Sequence, residues 1–250
     1  WDFDFYKKCV LEMASSKDAN FNYIPDSYQI PSDLDYFHLT TNNTIFGTQF
    51  KEIPNTKVPL VADMSSDIFS RNFDYSKFDL FYAGAQKNMG PAGTTLVIIK
   101  EDILGKVSRN IPSILDYSNH LKSGSMFNTP PVFAVYTSLL TMRWIKQQGG
   151  VESIGSKNTI KSAYLYTEID RNPLFTGFAA KKDRSEMNAT FNLLNKSHSE
   201  SFDTICESAG ISGLKGHRSV GGYRASIYNA LPKESVDILV DCMQNLEQKI

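Results

Sequence analysis

Between residues 36 and 100 the apolar positions gather into short runs separated by polar or glycine-containing segments. Lys57–Met64 reads KVPLVADM, Phe78–Ala83 reads FDLFYA, and Thr94–Lys100 reads TTLVIIK. Runs this short, without helical periodicity, predict strands of a parallel sheet covered on both faces. The third is also rich in β-branched residues. Tyr36–Leu39 predicts a further strand, followed by a polar turn over Thr40–Thr44. Between Ser65 and Lys77 there is room only for a short helical turn.

Helical spacing takes over after residue 130. Pro130 and Pro131 suit the first turn of a helix running to Gln148, with Gly149 and Gly150 as its stop. Val132, Val135, Tyr136, Leu139, Met142 and Ile145 fall on one stripe, so this helix is expected to bury that face, and Trp144 is expected to pack as core. Beyond it the pattern predicts a helix over about Ser153–Asp170, a strand near Met187–Leu193 and a helix around Ser201–Ala209. A glycine-rich stretch follows from Gly213 to Arg224. A last helix after Pro232 has Val236, Leu239, Val240, Met243 and Leu246 as its apolar stripe. The change of texture near Gly150 divides the α/β chain into a large domain, 1–150, and a smaller C-terminal α/β domain, 151–250.

Bulk properties narrow the function. A chain of 250 residues is long enough to bury a substantial core. Its 26 Lys and Arg against 27 Asp and Glu leave a net charge of −1, which speaks against nucleic acid or anionic membrane as partner. Cys9, Cys206 and Cys242 lack C-x-x-C spacing, so they predict ordinary buried thiols in a reducing cytoplasm rather than disulfides or a metal site. No run approaches the roughly 18 to 20 apolar residues of a membrane helix. The chain opens on Trp1 with no turn or cap before it, and is expected to begin inside a larger protein.

One pair of residues then draws attention. Asp63 closes an apolar strand and Lys87 follows the next, so both are expected at the carboxyl ends of strands, where open α/β sheets bind ligands. A pyridoxal cofactor uses such a pair: an amine to hold it and a carboxylate to keep its ring nitrogen protonated. A structural ion pair uses the same two residues, and spacing alone leaves both open. Around Lys87 the chain reads YAGAQKNMGPAG, from Tyr82 to Gly93, where small residues let a flat ring approach the backbone. Asn128-Thr129 precedes two prolines and also reads as a helix cap. The Gly221-Gly222 turn between Arg218 and Arg224 can fold two cations toward one anion.

These words, with ADMSS at Ala62–Ser66, SGSMFNTPP at Ser123–Pro131 and KGHRSVGGYRASIYNA at Lys215–Ala230, closely resemble the phosphoserine aminotransferase family. The resemblance runs in one register from about Phe21 to the C-terminus. It implies the type I fold of pyridoxal-phosphate-dependent transferases: a mainly parallel sheet flanked by helices, with a smaller C-terminal α/β domain. It implies a homodimeric, cytoplasmic enzyme that passes the amino group of L-glutamate to 3-phosphooxypyruvate, giving O-phospho-L-serine and 2-oxoglutarate. The phosphohydroxythreonine step of pyridoxine synthesis falls within the same family.

Residue by residue, the resemblance makes Lys87 the cofactor-bearing lysine and Asp63 the partner of the pyridine nitrogen. Thr44 and Gln86 are expected to hydrogen-bond the cofactor. Asn128 and Thr129 are expected to reach the cofactor phosphate of the other subunit, and His217, Arg218 and Arg224 to bind substrate. Family members are longer than this chain, and the resemblance places the difference on the N-terminal side, which carries the phosphate-holding turn. The rivals are a non-catalytic fragment and another type I enzyme; a desulfurase would need a cysteine in a mobile Gly/Ser-rich loop, and none of the three is so placed.

Overall fold

The computed structural model describes residues 10–218 and 220–250. Trp1 and Cys9 lie outside them. Strands β1 (Phe37–Thr40), β4 (Leu60–Asp63), β5 (Leu80–Gly84) and β6 (Thr95–Ile99) form a 4-stranded sheet in the order β1-β4-β5-β6. The first three are parallel and β6 is antiparallel to β5. All four predicted strands are present, but burial alternates along β1, β4 and β5. Leu60, Ala62, Phe81 and Ala83 face the core, while the opposite face is only partly covered and Ile98 of edge strand β6 is exposed. The expectation of strands covered on both faces therefore does not hold for this sheet.

The predicted polar turn after β1 is itself paired. β2 (Asn42–Asn43) and β3 (Thr48–Gln49) make a small antiparallel hairpin with Thr44 in its loop. Asn43 builds that loop by accepting the amides of Ile45 and Phe46 at 3.0 and 3.1 Å, a local side-chain turn of the kind Asn favours.

The helices are α1 (Tyr117–Lys122), α2 (Val132–Gln147), α3 (Gly150–Arg171), α4 (Ser199–Ser208) and α5 (Lys233–Lys249). Gly149, at φ 95°, ends α2, but Gly150 already opens α3 and does not act as a stop. The stripe predicted to be buried on α2 is largely exposed: Val132 by 69%, Val135 by 47%, Tyr136 by 55% and Leu139 by 44%. Only Ile145 of the six is fully buried. The helix rests on the rest of the chain through its small residues instead. A Cβ on Gly90 would lie 2.7 Å from Ser138 Oγ and one on Gly93 3.7 Å from Ala134 Cβ, so this close approach leaves the large side chains pointing outward.

The last hundred residues fold as a 3-stranded antiparallel sheet, β7 (Phe175–Gly177), β8 (Asn188–Leu193) and β9 (Tyr223–Ser226), packed against α3, α4 and α5. The predicted α5 stripe is buried as expected. Phe175, Phe191, Phe202 and Tyr223 stack edge and face at centroid distances of 5.0 to 5.8 Å. Most of the buried hydrophobic residues described fall into two clusters, one between Phe37 and Met89 and one between Leu165 and Leu246.

Candidate active site

Parallel register sets Thr40 beside Asp63 and Asp63 beside Tyr82, so these three residues line one row at the carboxyl ends of adjacent strands. The Ser65 amide donates to Asp63 Oδ1 at 2.8 Å. The second carboxylate oxygen has no hydrogen-bond partner among the described residues.

Beyond β5 the chain turns sharply. Met89 and Gly90 both donate their amides to the Ala85 carbonyl, at 3.1 and 2.8 Å, and this turn holds Lys87. Lys87 Nζ donates to Thr44 Oγ1 at 2.7 Å. Arg224, on β9, donates from Nη1 to the Thr44 carbonyl at 3.4 Å, and its buried Nε has no partner among the described residues. Three distant parts of the chain thus meet around Thr44. Lys87 is not ion-paired with Asp63 among the described residues, although the Asp63 charge acts on Lys87. Burial is the main cause that lowers the Lys87 pKa; Asp63 opposes it and Arg224 reinforces it. A lowered pKa leaves more of the amine neutral and nucleophilic.

The other candidates are placed as follows. Gln86 is exposed with its carboxamide folded over Gly84, where a Cβ would lie 2.6 Å from Gln86 Oε1. Asn128 and Thr129 are exposed on the segment before α2, and Asn128 Nδ2 donates to the Thr129 carbonyl at 3.2 Å. They cap nothing, since the N-cap of α2 is Pro131 and no side chain caps it. His217 and Arg218 lie in the loop between Gly216 and Gly222, where the Val220 and Gly221 amides both donate to the His217 carbonyl at 2.8 Å. Arg218 is exposed in that loop, and Arg224, beyond its base, is brought through Thr44 to Lys87.

The aminotransferase class-V family model matches residues 11–239. The chain belongs to the class-V aminotransferases. It is 65% identical over 238 residues to the phosphoserine aminotransferase of Flavobacterium johnsoniae, covering 95% of this chain and 67% of that protein. The solved phosphoserine aminotransferase of Bacillus circulans subsp. alkalophilus superposes with a TM-score of 0.91 at 43% identity, over 95% of this chain and 67% of that one. A pyridoxal-phosphate-bound phosphoserine aminotransferase of Trichomonas vaginalis superposes with a TM-score of 0.85 at 37% identity, over 90% and 65%. The fold is accordingly the type I fold of pyridoxal-phosphate-dependent transferases, and the chain spans about two thirds of the length of these relatives.

Several features of this class-V aminotransferase were not legible in its sequence. Asp67, in the segment after Asp63, is fully buried; it accepts from Thr41 Oγ1 and from Gln49 Nε2, the latter at 3.3 Å, and ion-pairs with Arg71 at 3.7 Å. Its only sequence signal is a second acid close behind the first. His38, given no role from sequence, lies 3.2 Å from Tyr82 Oη, beside the Asp63 strand. Burial pushes the Cys206 thiol up to about 12 and raises Cys242 as well, the opposite of what a nucleophilic thiolate requires. A cleft of about 1060 Å³ between Ile24–Ser32 and Phe50–Lys57 contains neither Lys87 nor Asp63. Among the described residues no helix is long and apolar enough to cross a membrane.

Proposed function

We propose that the chain is a phosphoserine aminotransferase, moving the amino group of L-glutamate to 3-phosphooxypyruvate in L-serine biosynthesis. The phosphohydroxythreonine step of pyridoxine synthesis is a second reaction for the same site. The observation that carries the reading is the meeting of Lys87, Thr44 and Arg224 beside Asp63 at the strand ends, in a chain 65% identical to a phosphoserine aminotransferase.

These residues fit pyridoxal 5′-phosphate. The Asp63 carboxylate acts on the Lys87 amine without pairing with it, and one Asp63 oxygen has no partner among the described residues. Gly84, without a side chain, lies between Tyr82 and the Lys87 turn. Bound pyridoxal phosphate supplies an electron sink for negative charge at the substrate α-carbon. Lys87 Nζ would hold the cofactor, and its amine would move the proton at that α-carbon. Asp63 would hold a proton on the ring nitrogen. Thr44 orients Lys87 Nζ through its hydroxyl, and Gln86 borders the ring. Arg224, with His217 and Arg218, binds the anionic substrate, since guanidinium groups grip carboxylate and phosphate through paired hydrogen bonds.

Asn128 and Thr129 hold the cofactor phosphate of the partner subunit in a homodimer. Their exposure, and the uncovered apolar stripe of α2 directly after them, support this. The two hydrophobic clusters support a large and a small domain meeting near Gly150. The free thiols Cys206 and Cys242, both buried, support a cytoplasmic location.

Transfer from glutamate to 3-phosphooxypyruvate tests the proposal directly. Lys87→Ala should abolish it. Arg224→Ala should raise KM for 3-phosphooxypyruvate by on the order of tenfold or more, because a charged hydrogen bond to the anion is lost. An equal rise for an unphosphorylated keto acid would refute phosphate selection, and no transfer by the wild-type chain with cofactor would refute the enzyme.

A further inference from the structure

The residue after Lys87 takes part in an arrangement that none of the proposed roles explains. Three successive carbonyls in the loop beyond Asp67 are each captured by a buried carboxamide from a different part of the chain. Asn88 Nδ2 donates to the Ile68 carbonyl at 3.1 Å, Asn229 Nδ2 to the Phe69 carbonyl at 3.0 Å, and Asn158 Nδ2 to the Ser70 carbonyl at 2.9 Å. The carboxamides are also linked to one another. Asn158 Nδ2 donates to Asn229 Oδ1 at 2.8 Å, and the backbone N–H of Asn229 donates to Asn88 Oδ1 at 3.1 Å. All three side chains are buried, Asn158 completely.

The loop they hold is strained, because Phe69 sits at φ 55°, a left-handed conformation costly for a bulky residue. Such a conformation persists only where its surroundings over-determine it. On the other side, Asn88 belongs to the turn in which Met89 and Gly90 share the Ala85 carbonyl. Lys87 is therefore fixed between the end of β5 and a side chain anchored in α3 and in the segment after β9. Among the described residues Asn158 Oδ1 alone of the three carboxamides has no partner; the remaining bonds make a stiff connection, since breaking any of them would leave a further buried polar group unsatisfied.

We propose that Asn88, Asn229 and Asn158 form a positioning relay that sets the height of the Lys87 turn from the C-terminal part of the chain; the value of that position for catalysis rests on the role given to Lys87 above. None of the three touches the reacting atoms. Their effect passes through the backbone of residues 85–90, where a misplacement of about 1 Å at a reacting group can cost on the order of a hundredfold in rate.

The test compares Asn229→Ala and the milder Asn158→Ser with Met243→Ala, a core truncation in α5 that lowers stability without touching the relay. In the cofactor-free protein, amide hydrogen exchange in the peptide spanning residues 84–91 should be faster by on the order of tenfold in both relay variants and unchanged in Met243→Ala. With pyridoxal phosphate bound, the pH midpoint of the visible absorbance should shift by about half a unit or more in the relay variants only. Exchange and midpoint at wild-type values in both, with stability lowered as in Met243→Ala, overturn the relay. A wild-type chain that acquires no visible band overturns the role of Lys87 instead, and the exchange comparison still decides the relay.

Discussion

Asp67 shows how much of a residue's chemistry depends on where folding puts it. Burial pushes its pKa from 3.8 up to about 6, against the lowering effect of Thr41, Arg71 and Gln49 and with a further rise from Asp63. The native state then binds a proton that the unfolded chain has already lost, so this group makes stability fall as pH rises through the interval from 3.8 to about 6. Above that interval the full cost of a buried carboxylate is present. Asp67→Asn should flatten the dependence of Tm on pH between about pH 4 and pH 6. The slope is the quantity to read, because the substitution also removes the partner of Arg71. An unchanged slope would assign the titration to another group. Asp63 was legible because it closes an apolar run, and Lys87 because a run of small residues surrounds it. Asp67 was not, since nothing in ADMSSD says which acid turns inward.

Among the elements, those whose pattern answers to a partner inside the chain were read correctly from sequence. The stripe of α5 meets α3 and α4, and β4 and β5 lie where their apolar runs placed them. Helix α2 was misread for a definite reason: periodicity reveals that a stripe exists and not what covers it. Its small residues, Ala134 and Ser138, were the informative ones, since they permit the close approach to Gly90 and Gly93. In the proposed homodimer the large residues of α2 are covered by the second subunit. Leu139→Lys should therefore raise the dimer dissociation constant by on the order of tenfold or more, because a charge would be desolvated at the interface. The monomer should keep its fold, as Leu139 is exposed within one chain. Analytical ultracentrifugation checks this, and an undisturbed dimer would place the interface elsewhere.

For the molecule as a whole, the site is assembled from a hairpin loop, a turn after β5 and a strand more than a hundred residues further on. Sequence words located these pieces but not their meeting, because Thr44 joins Lys87 and Arg224 only through the fold. A second buried polar seam ties the same regions together: Asn42 donates to Ser66 Oγ at 2.8 Å and to Asn188 Oδ1 at 2.9 Å, and accepts from Ser185 Oγ. Polar seams of this kind carry no hydrophobic periodicity, which is why the junction between the two clusters was unreadable in advance. The proposed function of the whole assembly depends on one amine. The most direct measurement is to mix the purified chain with pyridoxal phosphate, reduce with borohydride and locate the modified lysine by peptide mass spectrometry. The account predicts a single adduct at Lys87, absent from Lys87→Ala; an adduct spread over other lysines, or none at all, contradicts it.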